Sequence, residues 1–382
     1  MLENLNRDLM LKIKKWGYLS IFVIVPILPW SWYQGVHNGT QDFWAWFPIL
    51  FIFGIIPVLD YIIGKDPTNP DEETEVPTLS QEKTYRVFTL MVVPVWLGLL
   101  AFCAWAFAHT EFSLMGQVGW LLSTGVIGGV LAINVGHELI HKDPKLENWA
   151  GGFLYATVNY AGFKVEHIRG HHVHVSTPED ASSSRYNQSV YHFLPRAMVR
   201  NVINAWKLEK KYLERKGKPF ISRHNELIWW YAISAALAVV FGLALGWIGV
   251  VFYVIQGLLA AATLEVINYI EHYGLHRRLQ DNGRYERVTP AHSWNSNYFL
   301  TNLLLFQLQR HSDHHAYAKR RYQVLRHYED SPQLPGGYAS MFVLALIPPL
   351  WKRVINPRVR AYYENELDQL FQQQPRQNKI AA

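Results

Sequence analysis

The chain has 382 residues, half of them apolar, with 15 Trp, 21 Tyr and 19 Phe. Only 17% are charged, against about 25% in ordinary globular proteins, and the modest formal charge of +6 gives no case for a nucleic-acid partner. The single cysteine, Cys103, lies in an apolar run, which excludes a disulfide framework and a cysteine-bound zinc or iron–sulfur centre. Any electron-transfer centre of that kind must come from another protein. A mean hydropathy of −0.03 points to lipid spans alternating with a substantial soluble portion.

The N-terminal stretch MLENLNRDLMLKIKKWG has no small-residue cleavage site after its first apolar run, so a retained first span is expected. Crossing about 30 Å of hydrocarbon takes roughly 20 apolar residues. Six segments qualify: 16–34, 43–64, 87–108, 117–142, 226–247 and 248–273. Arg7, Lys12, Lys14 and Lys15 precede the first, and Lys65, Lys83 and Arg86 lie between the second and third. The loops 35–42 and 109–116 and the turn near 246–249 contain no Lys or Arg. The positive-inside rule then gives three hairpins with both termini in the cytoplasm. The fourth and sixth spans, about 26 residues or 39 Å long at 1.5 Å per residue, should project past the bilayer on that side.

Residues 146–166 are aromatic and Gly-rich but too interrupted by polar residues to span, and are expected to be interfacial or re-entrant. Residues 176–225 are polar, with Lys207, Lys210, Lys211, Arg215, Lys216 and Lys218 in a basic helical run. Residues 275–335 carry turn signals such as DNG and the aromatic-rich SWNSNY. The apolar stretch 338–350 is about 13 residues long and contains Pro348 and Pro349, so it is expected to lie on or dip into the membrane. The tail FQQQPRQNKIAA reads as disordered. The expected organisation is an all-α bundle: six spans over 1–273 with a cytoplasmic insertion at 143–225, then a cytoplasmic region over 274–382 that completes the site.

Nine histidines fall into four groups at or just beyond the ends of apolar stretches. They are His137 and His141 in HELIH, His167, His171 and His172 in EHIRGHH, His272 in NYIEHYG, and His311, His314 and His315 in LQRHSDHH. Nine imidazoles exceed the six positions of octahedral coordination, which points to two metals. Helical residues three and four apart share a face; His137/His141, His167/His171 and His311/His315 are four apart and His314 is three after His311, so each group is expected to present two or three nitrogens to one centre. Glu265, Asn268 and His272 recur at i, i+3 and i+7, a polar stripe expected to line the cavity above the metals. Neutral imidazoles leave the metal charge uncompensated, and each group has an acid beside it: Glu138, Glu166, Glu271 and Asp313. Metal-bound histidines usually pass their second N–H to a carboxylate or carbonyl, and that role is expected for these acids.

Imidazole-rich sites suit Zn, Cu, Fe or Ni. Zinc normally takes four ligands, so two iron ions with open positions for dioxygen use nine histidines better. HELIHK, EHIRGHH, NYIEHYG and LQRHSDHH resemble the boxes of the bacterial alkane 1-monooxygenases, a branch of the integral-membrane di-iron desaturases and hydroxylases. The likeness runs from about residue 15 to 350 and includes LDYIIGKD and HSWNSNYFLTNLLLFQLQRHSDHH. It implies that the nine histidines are the iron ligands. It also implies that dioxygen is co-substrate and that rubredoxin, reduced in turn by rubredoxin reductase and NAD(P)H, supplies the electrons. The setting is then the bacterial inner membrane, and the product of a medium-chain n-alkane is the primary alcohol. Terminal selectivity would come from a narrow apolar channel between spans two, three, four and six, with Trp44, Ile55, Leu59, Val95, Leu131 and Leu264, together with Glu265, as its walls.

Other readings compete with parts of this. HELIH alone matches the HExxH of zinc metalloproteases, but seven further histidines would then have no task. A fatty-acyl desaturase or hydroxylase would use the same boxes, and a metal or haem transport protein could use bis-histidine sites without catalysis. His37, His109, His192, His224, His276, His292 and His327 read as surface or capping residues, and His174 is left outside the ligand set. Asp60 is a functional acid, an interfacial cap or a partner for Lys65. The basic run 207–218 is a solvated positive-inside face, or a dock for an acidic electron donor. Asn38 fits a glycosylation sequon, relevant only in a eukaryotic secretory setting.

Overall fold

The computed structural model describes residues 6–364 and 366–368; the tail read as disordered lies outside them. Every extended element among the described residues is helical, and β-pairing is limited to isolated bridges such as Lys65 with Tyr298. Six helices are long and apolar enough to cross a membrane: Arg7–His37, Gln41–Ile63, Lys83–His109, Leu114–Ile140, Glu226–Leu245 and Trp247–His272. These spans, first to sixth, match the six apolar segments. The first starts earlier, because Asn6 caps Asp8 N–H and lets a helix begin at Arg7.

The fourth span is the most enclosed and packs along the sixth. Small residues permit that approach: a Cβ on Gly125 would lie 2.5 Å from the Leu259 side chain. Short π-helical turns interrupt the second span at Phe51–Ile55 and the fourth at Gly129–Ile133. Each turn inserts a residue and rotates the helix beyond it, and such insertions gather at functional sites.

Residues 146–166 form the helix Lys145–Thr157 and the short helix Phe163–Glu166, both packed against the histidine end of the bundle. The contact is close at one point: a Cβ on Gly151 would lie 2.8 Å from the Gly136 carbonyl oxygen. The basic run begins in the second half of the helix Val190–Arg215 and ends past it at Lys216 and Lys218; the inner face of the helix buries Phe193, Ala197, Asn201 and Ala205. The stretch 338–350 splits into the helix Tyr338–Ala345 and the start of Pro348–Tyr363.

SWNSNY is not a simple turn but a bracket. Trp294 closes the end of the sixth span, its backbone N–H donating to Glu271 O and its indole to Tyr273 O, both at 2.8 Å. Ser296 N–H donates to Gln309 O, and Asn297 Oδ1 accepts from Arg310 Nε at 3.1 Å. Asp60 is a brace: buried at the end of the second span, it accepts from the backbone N–H of Thr301 at 2.9 Å and from its hydroxyl. That satisfies one free N–H of the first turn of the helix Phe299–Leu304, the capping role rather than pairing with Lys65.

Candidate metal centre

The four histidine groups converge at one end of the bundle. Five rings, His137, His141, His167, His172 and His314, offer ligand atoms within 4.8 Å of one another. Four more, His171, His272, His311 and His315, form a second set on the same criterion. The expected one-centre pairing of His167 with His171 does not occur, nor do the three histidines of LQRHSDHH serve one metal. The cause is a third π-helical turn, His167–His171, in which His172 N–H donates to His167 O. The five-residue step puts His167 and His172 on one face and hands His171 to the other cluster. The α-helix His311–Ala316 keeps His311 and His315 together at i,i+4 and turns His314 toward the first cluster.

Within the clusters the Nε2 atoms face each other. The separations are 3.0 Å for His141–His167, 3.1 Å for His167–His172 and His172–His314, 3.2 Å for His171–His315 and 2.9 Å for His315–His311. A metal–nitrogen bond of about 2.1 Å puts adjacent ligand atoms about 3.0 Å apart. Nε2 of His137 and of His272 is buried with no hydrogen-bond partner, a costly state unless another group occupies the space. Burial first, and then the neighbouring imidazoles, push His141, His167, His172, His311, His314 and His315 well below the ordinary histidine range. Neutral rings are what a metal needs. The donor set therefore fits two metal ions, one in five histidines and one in four.

The four acids beside the histidines divide. Glu271 Oε2 lies 3.1 Å from His311 Nε2, on the converging side of the ring and not behind it. Glu166 is buried, and burial first, then the charges of Asp180 and Glu265, raises its carboxyl well above the usual range. Glu138 instead pairs with Lys142 at 3.0 Å and accepts from Tyr322 N–H. Asp313 pairs with Arg320 and accepts from Arg326 N–H at 2.9 Å. Both point away from the rings because they are held by cations on the following loop. Asp180, passed over in the sequence, takes the expected role, with Oδ2 2.9 Å from His171 Nδ1. Burial would raise the Asp180 carboxyl, but His171 and the Ser183 hydroxyl hold it well below its ordinary value. The signal was present as an acid nine residues past His171, but only the fold brings it back.

Behind His272, Nδ1 faces the His292 carbonyl at 3.4 Å and Ser293 Oγ at 3.3 Å. His292, read as surface or capping, is a buried cap whose ring meets Thr289 and Glu286. His174 pairs with Glu179 outside both clusters.

A largely apolar cavity of about 870 Å³, including its open mouth, reaches His137 of the first cluster and His311 of the second. Its walls come from the first, second, fourth and sixth spans and from 301–308 and 338–342. Leu264, Asn268 and Glu271 line it. Trp44, Ile55, Leu59, Val95, Leu131 and Glu265 do not. Ile55 and Leu59 are exposed on the outside of the second span, since its π-turn brings Ile52, Phe53 and Ile56 inward. Trp44 stacks edge-on with Trp30, Val95 is half-buried on the third span, and Leu131 is sealed in the core. Glu265 turns behind the wall, accepting from Tyr160 Oη at 2.6 Å, Asn201 Nδ2 at 2.9 Å and Asn268 Nδ2 at 3.2 Å.

A six-span helical bundle that gathers nine imidazoles into two clusters reached by one apolar cavity defines a membrane protein whose buried histidines could hold two metal ions. The fatty acid desaturase family model matches residues 112–345. The chain is 68% identical over 382 residues to alkane 1-monooxygenase 2 of Alcanivorax borkumensis, covering 100% of both chains. It is 58% identical to alkane 1-monooxygenase 2 of Pseudomonas aeruginosa, over 97% of this chain and 98% of that one. Alkane 1-monooxygenase 1 of the same organism is 55% identical over 98% of each. The chain belongs to the alkane 1-monooxygenases of the fatty acid desaturase family.

Proposed function

We propose that this chain hydroxylates medium-chain n-alkanes at the terminal carbon, giving 1-alkanols, with two irons held by the nine histidines. The observation that carries the reading is the apolar cavity, because it touches a histidine of each cluster and offers an alkane almost nothing polar. The reaction consumes one dioxygen, two electrons and two protons and returns the alcohol and water. When bound, iron reduces dioxygen and supplies the oxidant that a strong primary C–H bond demands.

The chain's own residues do the rest. His137, His141, His167, His172 and His314 would hold one ion and His171, His272, His311 and His315 the other. Asp180 holds His171 with its Nδ1 proton outward, and the His292 carbonyl and Ser293 do the same for His272. Glu271 places a carboxylate beside His311 at the cavity wall, where it would offset metal charge. Ile52, Phe53, Ile56 and Leu264 exclude water and orient the chain end. No cofactor-binding cysteine exists in the sequence, which supports an external one-electron donor, rubredoxin, itself reduced by rubredoxin reductase and NAD(P)H. The Lys/Arg pattern supports an inner-membrane protein with both termini and the site in the cytoplasm.

The test is product analysis of purified, iron-loaded protein given dodecane, rubredoxin, its reductase and NADH. 1-Dodecanol formed only when rubredoxin is present supports the reading. Subterminal alcohols, an unsaturated product, or equal turnover without rubredoxin contradicts it.

A further inference from the structure

Asn134 stands one helical turn before His137, immediately after the π-turn Gly129–Ile133 of the fourth span. It is 5% exposed and lines the apolar cavity beside His137. Its amide nitrogen is buried with no hydrogen-bond partner. The other amide and the threonine hydroxyls of the cavity wall differ in this respect. Thr263 donates to Leu259 O, Thr301 donates to Asp60, and the Asn268 amide donates to Glu265. An unpaired donor inside a cavity shaped for hydrocarbon is a mismatch that an alkane cannot relieve, since it has no acceptor.

We propose that Asn134 is the hydroxyl subsite of the cavity: its side-chain N–H donates to the oxygen of a primary alcohol whose carbon chain lies along the apolar wall. This rests on the reading of the cavity as the alkane site. The placement suits the chemistry, because Asn134 and His137 are i and i+3 on one face, so the donor sits where the new oxygen is set on the chain end. Asn134 and His137 also border a smaller pocket with Glu138 and His314, which leaves the amide between the metal-binding rings and the hydrocarbon. The π-turn accounts for its direction: it rotates the last two turns of the span, carrying Asn134 round together with the two histidines of HELIH. The subsite distinguishes product from substrate, since only the alcohol gains the bond.

The experiment compares binding of 1-dodecanol and dodecane to iron-loaded protein in lipid nanodiscs, without reductant, so that no turnover is needed. Asn134→Leu keeps the size and removes the donor; it is expected to weaken 1-dodecanol about fivefold, the worth of one neutral hydrogen bond, and to leave dodecane within twofold. Asn134→Thr, which restores a donor, is expected to recover alcohol binding. If Asn134→Leu loses its iron, Asn134→Ala makes the same comparison. An unchanged alcohol affinity, as when a buried water alone satisfies the amide, overturns the proposal, and so does equal weakening of alcohol and alkane. A wild-type protein that binds both ligands but makes no 1-dodecanol from dodecane contradicts the proposed function instead, so the two failures are separable.

Discussion

Glu271 Oε2 lies 3.1 Å from Nε2 of His311, the same nitrogen that faces His315. A carboxylate on the converging side of the four-histidine cluster sits where metal charge is highest, and it also borders the apolar cavity. Glu271→Gln keeps the shape and removes the charge. It is expected to lower turnover on dodecane by about 10- to 100-fold, the usual range for a supporting group at a metal site. Iron content measured alongside should stay near wild type, and activity within twofold of wild type would remove Glu271 from the account.

Asp180 acts from behind. Its carboxylate takes the Nδ1 side of His171 and also accepts from the Ser183 hydroxyl at 2.6 Å and Ser182 N–H at 3.1 Å. Asp180→Ala is expected to cut metal affinity about 10- to 100-fold, read by iron retention during dialysis against a chelator. Asp313→Ala, next to His314 in sequence but turned to Arg320 and Arg326, should retain its iron better.

Arg310 is fully buried beside His311. It binds Asp66 Oδ2 at 2.7 Å, Leu325 O at 2.7 Å and Thr68 O at 3.0 Å, so LQRHSDHH is tied to the loop after the second span. Arg310→Met leaves Asp66 without this partner, and breaking such a buried pair costs about 3–5 kcal/mol. Glu75→Gln at the half-exposed pair with Arg7 should cost about 1 kcal/mol or less. Thermal unfolding of both variants in one detergent checks the contrast.

The same cluster sets a pH dependence. Burial raises the Asp66 carboxyl, but Arg310 and then Lys14 outweigh it and hold it down at about 2, against an ordinary 3.8. A depressed carboxylate stabilises the fold fully above its unfolded value, and the contribution drains as pH falls from about 4 toward 2. Between pH 5 and 8 this group adds no slope. Asp66→Asn should flatten the acid limb of a stability–pH curve, and an unchanged limb would count against the assignment.

The cavity wall gives a size test. Leu264 lines the cavity one turn before Asn268, so Leu264→Trp should obstruct long chains before short ones. The expected result is a loss of more than tenfold on hexadecane with octane less affected. An equal loss on both would place Leu264 outside the substrate path.

The six spans and the histidine groups were legible because hydropathy and spacing act locally. The three π-turns were not, since FIFGI, GVLAI and HIRGH differ little from α-helical sequence. Their consequences were therefore hidden too: Ile52 and Phe53 face the cavity where Ile55 and Leu59 were expected, and His167 pairs with His172 instead of His171. Proximity in sequence also misled for Glu138 and Asp313, whose partners Lys142 and Arg320 hold them aside. Asp180 and Arg310 gain their roles from contacts made across loops, which no periodicity reports. Asn134 carried one clue, an amide in an apolar span a turn before the first ligand.

The division of nine histidines into five and four is the centre of the account, and iron quantitation with Mössbauer spectroscopy on the wild type and His272→Ala tests it most directly. Two irons per chain in distinct environments are expected in the wild type, with His272→Ala losing the signal of the four-histidine centre and keeping the other. One iron per chain, or a His272→Ala protein that keeps both signals unchanged, would contradict it.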